Sequence, residues 1–244
     1  MKILVIGAGL FGTAVAIKIK EKYKNSNVTI VDELSDILNA ASGKNQFRTH
    51  LGYHYPRSPK TIRECQNSRE EFNKYLSSSF IKSEDYYAIS KKKSKINFQN
   101  YISSLKHNNL KFNMIEENEL LNKSQIEGVI KVNEKKISVD LARKKIWKLL
   151  NKHSIDVKLN KKILLNKELT KKYDKIILCT YDRNNMNLEN FGIKNKTKYF
   201  YQLVEKIIVK PPIKFLNKSF VILDGPFMCI DPYNNEKKSI LGHV

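Results

Sequence analysis

The sequence predicts an α/β chain in which a Rossmann-like parallel sheet is interleaved with an α+β domain built on an antiparallel sheet. Three observations predict it. The opening residues Lys2 to Ile6 form an apolar strand that runs straight into Gly7, Gly9 and Gly12. An acidic pair, Asp32 and Glu33, closes a second strand about twenty residues later. A further apolar strand, Asp174 to Thr180, returns after an insert that lacks glycine phosphate loops.

The first unit has the requirements of a dinucleotide site. Gly7 permits a tight turn, Gly9 lets the backbone approach a pyrophosphate, and Gly12 lets the following helix lie close on the strand. The helix start then presents free N–H groups and a positive dipole end to phosphate. Ala14, Val15, Ile17 and Ile19 read as helix, with Lys18, Lys20 and Lys22 toward water. Val28 to Val31 is the second strand. Asp32 at its carboxyl end is placed to accept hydrogen bonds from a ribose 2′-hydroxyl, with Glu33 as the fallback. An acidic residue there disfavours a 2′-phosphate, and with it NADP.

The next stretch, Ala41 to Ser58, suits neither helix nor strand and is dense in hydrogen-bonding groups. Arg48, His50, His54 and Arg57 place charge and donors in one short loop, which is how sites are built. Ser58-Pro59 starts a helix through about Leu76. Residues 82–89 and 110–115 read as strands flanking a helix near Ile96 to His107, and Gly128 to Val132 with Lys136 to Val139 resemble a hairpin. Asp140 is expected to cap a helix whose buried stripe is Leu141, Ile146, Leu149 and Leu150, with Trp147 beside it. Ile155 to Leu159 and Ile163 to Leu165 follow as short strands. From Tyr199 onward, Phe200 to Val209, Ser219 to Leu223, Phe227 to Ile230 and Ser239 to Gly242 suggest an antiparallel sheet. Asp224-Gly225-Pro226 and Asp231-Pro232 read as turns.

Composition narrows the function classes. With 244 residues the chain has room for one large domain or two interleaved ones. No run reaches the eighteen or so apolar residues of a membrane span, and the first residues form a strand rather than a signal peptide, so a cytoplasmic protein is expected. Cys65, Cys179 and Cys229 are far apart, in no metal-ligand spacing, and fit a reducing compartment. The net charge of +21 raises the question of a nucleic-acid partner. All but six of the 45 basic residues are lysines scattered along the chain, without a recognition motif, and a solvated basic surface is the simpler reading.

Gly7, Gly9, Gly12, Asp32, the Ala41-Ser42-Gly43 loop with Arg48 and His50, and the later Ile-Ile-Leu-Cys-Thr strand together resemble the FAD-dependent oxidoreductases of the D-amino-acid oxidase type. The likeness runs through essentially the whole chain in order. It implies an FAD-binding parallel sheet covered by a substrate domain, divided as 1–80 and 139–185 for the FAD-binding segments and 81–138 and 186–244 for the substrate or cap segments. It also implies that Leu10, Phe11 and Gly12 offer backbone N–H groups to the pyrophosphate with Ser42 beside it. Asn45 and Arg48 would approach the flavin ring, the Ile163 backbone would meet adenine, and Cys179 and Thr180 would lie near the ADP moiety. In that family a further glycine-containing strand and helix follow the sheet domain, whereas Val244 falls inside what reads as that domain, so a truncated chain is expected.

The resemblance implies oxidation of a C–N or C–O bond in a small polar substrate by hydride transfer to flavin N5. Arg48 would act electrostatically at the flavin, His50 or His54 would move a proton or attach the flavin, and Arg57 would clamp a substrate carboxylate. The plainer reading of His54 and Arg57 is that they fix the loop. Tyr53, Tyr55, Tyr199, Tyr201 and Tyr233 are pocket candidates, although strand aromatics more often belong to a core. No metal site is expected. An NAD-dependent dehydrogenase and a non-catalytic basic binding protein remain as rival readings.

Overall fold

The computed structural model describes residues 1–243 apart from 117, 118, 195, 196 and 235, so the expectation attached to Val244 lies outside the described residues. The first half contains β1 (Lys2–Ile6), α1 (Leu10–Lys22), β2 (Asn27–Val31), α2 (Pro59–Leu76), β3 (Phe80–Ile81), β4 (Glu84–Ser90), α3 (Phe98–His107) and β5 (Asn113–Ile115). Then come β6 (Ile126–Val132), β7 (Lys136–Ile137), α4 (Val139–Lys152), β8 (Asp156–Lys158), α5 (Lys167–Lys172), β9 (Lys175–Leu178) and α6 (Asn184–Asn190). The chain closes on β10 (Ile207–Val209), β11 (Lys218–Leu223), β12 (Met228–Pro232) and β13 (Ser239–His243).

These elements fall into two units: residues 1–45 with 143–203, and residues 46–142 with 204–244. The segment 46–80, expected from sequence in the nucleotide-binding half, groups with the second unit, because Leu51, Tyr53 and Ile62 are buried in the same cluster as Tyr87 and Tyr101.

The first unit is a four-stranded sheet in the order β8-β2-β1-β9, parallel throughout. Leu4 and Val5 of β1 are fully buried, the continuous apolar pattern of a strand covered on both faces. Ile6 is in register with Val31 on one side and Leu178 on the other, so the turns after β1, β2 and β9 leave the sheet at one end. That end of an open parallel sheet is where ligands bind. The segment Ile163 to Leu165 is irregular rather than a strand. Ile163 packs against the Leu4, Ile6 and Val31 cluster, and the Leu165 N–H is held by Asn187 Oδ1 at 3.1 Å, so side-chain contacts replace a ladder.

The second unit holds a seven-stranded sheet in the order β10-β13-β12-β11-β4-β6-β5. It is mixed rather than purely antiparallel, since β4 and β11 pair in parallel at its centre. Tyr101 and Leu105 of α3 bury against Tyr87, Ile89, Ile130 and Val221 of the sheet, each aliphatic side chain contributing about 1.5–3 kcal/mol. Gly128 is required by this packing, because a Cβ there would enter the Phe98 ring.

Four local expectations change. The hairpin of 128–132 with 136–139 does not form: β6 pairs with β4 and β5, and β7 pairs with β3, because Glu134 and Lys136 turn inward to buried partners. Residues 199–206 are irregular, and only Ile207–Val209 of the long expected strand is paired. Asp231-Pro232 is not a turn but the end of β12, with Asp231 fully buried. The cap of α4 is Ser138, whose Oγ accepts from the Leu141 N–H at 3.3 Å, while Asp140 sits in the first turn.

Candidate functional site

In the first unit the glycine turn is as tight as the sequence requires. Gly7 has φ of +106°, and a Cβ on it would collide with the Cys179 carbonyl. A Cβ on Gly12 would collide with the Gly7 carbonyl, so α1 rests directly on the turn. Gly9 precedes α1, and no side chain caps the helix from that position. The first turn is stiffened instead by Thr13 Oγ1, which donates to Gly9 O at 2.9 Å, and by Ser42 Oγ, which accepts from the Leu10 N–H at 3.0 Å. Ser42 therefore lies at the turn. Phe11 projects outward, 81 % exposed.

Asp32 sits across from this turn and braces it. One carboxylate oxygen accepts from the Ala8 N–H at 2.6 Å and the other from the Leu34 N–H at 2.8 Å, which leaves lone pairs for ribose hydroxyls. Glu33, the fallback acid, is taken by an ion pair with Arg183. Asn45 turns back on its own loop, donating to Ala41 O at 3.1 Å. Thr180 donates from both N–H and Oγ1 to Asn184 Oδ1, at 3.0 and 2.7 Å. The Cys179 thiol is pushed up by burial and is no ready thiolate.

In the second unit the loop 46–58 carries the remaining candidates. Residues 47–49 pair with 135–137, through Ile137 N–H to Phe47 O at 2.9 Å and Thr49 N–H to Lys135 O at 3.1 Å. This pairing carries Arg48 inward, where its guanidinium forks onto Asp231 with Nε to Oδ1 at 3.0 Å. Burial opposes the charge on both groups, and their attraction outweighs it: Arg48 is held above its ordinary pKa and Asp231 below. Ser219 Oγ adds a 2.6 Å hydrogen bond to Asp231. Arg48 is thus a compensated cation, which the sequence did not reveal because Asp231 looked like a turn residue.

His50 and His54 lie edge to face with ring centroids 5.8 Å apart, and Tyr55 packs against both. The Nδ1 atoms of both rings are buried without a hydrogen-bond partner among the described residues. Burial lowers both pKa values, with Arg48 and His50 taking His54 down to about 4. His54, Tyr55, Arg57 and Ser58 line a cavity of about 270 Å³ together with Ile222, Leu223, Asp224 and Gly225. Arg57 reaches the same Asp224 through an ion pair and a second hydrogen bond at 3.2 Å, and its side chain stays half exposed. His50 and Arg48 line a neighbouring groove below α2. Of the tyrosine candidates only Tyr55 borders the first cavity. Tyr53 is buried and donates to Lys111 O at 2.6 Å, while Tyr199 and Tyr201 are exposed in the first unit.

Sequence reasoning missed Asp231, Asp224, Tyr87, Glu134 and Lys136. Glu134 falls between the two expected hairpin strands and Lys136 opens the second, yet both are fully buried. Among the described residues no cluster of three His, Cys, Asp or Glu could hold a metal ion, and no helix is long and apolar enough to cross a membrane.

Neither a family model nor a curated protein matches the chain. Solved structures do. Glycine oxidase from Geobacillus kaustophilus superposes with a TM-score of 0.70 at 10 % identity, over 99 % of this chain and 70 % of its own. L-proline dehydrogenase from P. horikoshii gives 0.70 at 14 %, over 99 % and 68 %. L-α-glycerophosphate oxidase from Mycoplasma pneumoniae, solved with FAD bound, gives 0.69 at 14 %, over 100 % and 71 %. At such identities what is shared is the backbone architecture: this chain has the fold common to these three enzymes.

Proposed function

We propose that the chain is an FAD-dependent oxidoreductase acting on a C–N or C–O bond of a small polar substrate. The observation that carries this reading is the glycine turn with its collision-limited contacts, braced by Asp32, in a fold shared with oxidases of which one was solved with FAD bound. The residues fit the group: the backbone N–H groups of Phe11 and Gly12 would receive the pyrophosphate, Asp32 would accept from the ribose, and Ile163, Cys179 and Thr180 would border the adenosine. Bound FAD would supply the hydride acceptor, N5, that no amino-acid side chain offers.

The second unit supplies the rest. Arg57 binds a substrate carboxylate, which must displace or share Asp224, and an amine or hydroxyl on the same substrate can remain on Asp224. As hydride leaves the substrate carbon, the heteroatom proton needs an acceptor, and His54 borders the cavity. With its pKa near 4, His54 is a weak base at neutral pH. His50 behind it feels the raising field of Glu134 as its strongest opposing influence, and takes the proton onward. Arg48 acts electrostatically through its pair with Asp231.

The test is an absorption spectrum of the protein purified after expression with excess FAD, followed by anaerobic reduction. Flavin retained by wild type and lost in Gly12→Val is the expected result. A colourless wild-type protein that instead binds NAD would favour the dehydrogenase reading, and one that binds neither would end the proposal.

A further inference from the structure

The buried polar cluster of the second unit does not balance. Asp85, Glu134 and Asp231 are three buried carboxylates, and Arg48 and Lys136 are two buried cations. Arg48 is taken by Asp231, and Lys136 Nζ lies 2.6 Å from Asp85 but 4.0 Å from Glu134. Glu134 is therefore the carboxylate that stands farthest from its nearest cation. A buried charge with so long an ion pair needs hydrogen bonds beside it. It has two. Oε1 accepts from the Leu51 N–H at 2.9 Å, and Oε2 accepts from the Tyr87 hydroxyl at 2.5 Å.

Both donors are mounts for a histidine. Leu51 follows His50 directly, so fixing its N–H fixes the peptide that carries the His50 ring. The Tyr87 ring stands edge to face against His54, with centroids 6.5 Å apart. We propose that Glu134 is a positioning residue for the His50–His54 pair, holding the backbone at one ring and the aromatic wall at the other from a single carboxylate. A structural anchor alone would not need to be charged: an apolar residue of similar volume fills a core at less cost. The charge matters because it faces two imidazoles with unpartnered Nδ1 atoms. Arg48 and Lys136 oppose a proton on His50, and Glu134 and Asp231 favour it, with Tyr55 packed alongside. For His54 the opposing groups are Arg48 and His50, and Tyr55 and Tyr87 complete its surroundings. Glu134 is the largest influence raising the proton affinity of either ring.

The assignment of proton transfer to these rings rests on the function proposed above, but its test does not need flavin. Histidine ring titration by NMR is measured on the full chain, wild type and Glu134→Gln. The expected result is a folded variant in which His50 titrates at lower pH than in wild type and His54 shifts less. Unchanged titration in a folded variant overturns the proposal. Should the variant fail to fold, wild type decides: the Leu51 amide proton is expected to titrate with the His50 ring, and indifference of that amide overturns the proposal. If wild type retains flavin, Glu134→Gln is also expected to slow reduction by substrate by up to about a hundredfold with flavin retention unchanged, and to move the pH profile of that rate. Failure of the flavin arm in wild type would count against the proposed function and leave the titration result standing.

Discussion

Arg48 and Asp231 stand 183 residues apart in the sequence and meet with no solvent between them. Removing one partner leaves the other charged and buried, which costs about 3–5 kcal/mol. Arg48→Met is therefore expected to lower the midpoint of urea unfolding strongly, and the double change Arg48→Met with Asp231→Leu to recover much of the loss. A purely catalytic arginine would leave the midpoint unchanged. The histidines make a second residue-scale expectation. His54 has a folded-state pKa near 4, below its unfolded value of about 6.5. The unfolded chain binds the proton first, so stability falls as pH drops from about 6.5 to 4 and this contribution is flat outside that window. The loss amounts to about 3 kcal/mol, and His54→Phe is expected to flatten the slope in equilibrium unfolding measured across that range. None of these partnerships is visible in sequence, because a charged residue there gives no sign of whether it faces water or another charge.

Among the elements, those with local signals were legible. The β1 and α1 pair follows from apolar runs and three glycines within ten residues, and Ser58-Pro59 marked the start of α2, where Ser58 accepts from the Thr61 N–H. The Asp32 position was legible from its spacing after the glycines, whereas Ser42, 32 residues from the Leu10 it meets, was placed only by the family resemblance. What failed was pairing between distant segments. Lys136-Ile137 carries a charge and alternates weakly, and only its burial against Phe80 and the 47–49 segment makes it a strand. Gly128 also gave no hint of its role, because the ring that excludes a side chain there belongs to α3. Gly128→Val is expected to force α3 off the sheet and to cost about 1–3 kcal/mol, measurable as a lowered thermal midpoint. A midpoint within error of wild type would show that Phe98 moves aside freely.

For the whole molecule, a charge of +21 spread over lysines sets behaviour in solution rather than architecture. Association with mixed-sequence DNA is expected to be weak, to show no sequence preference and to vanish steeply with added salt, as a fluorescence titration across ionic strengths would reveal. Tight binding that survives salt would point to a built nucleic-acid site that the proposed function does not include. The mixed sheet has a consequence for biosynthesis. Its central parallel pair joins residues 84–90 to 218–223. On the ribosome, β4 must wait with one edge bare while residues 91–217 are translated, and such waiting surfaces recruit chaperones. Nascent chains halted before Lys218 should therefore remain protease-sensitive through Tyr86 and Tyr87, and acquire protection only after Leu223 has cleared the exit tunnel.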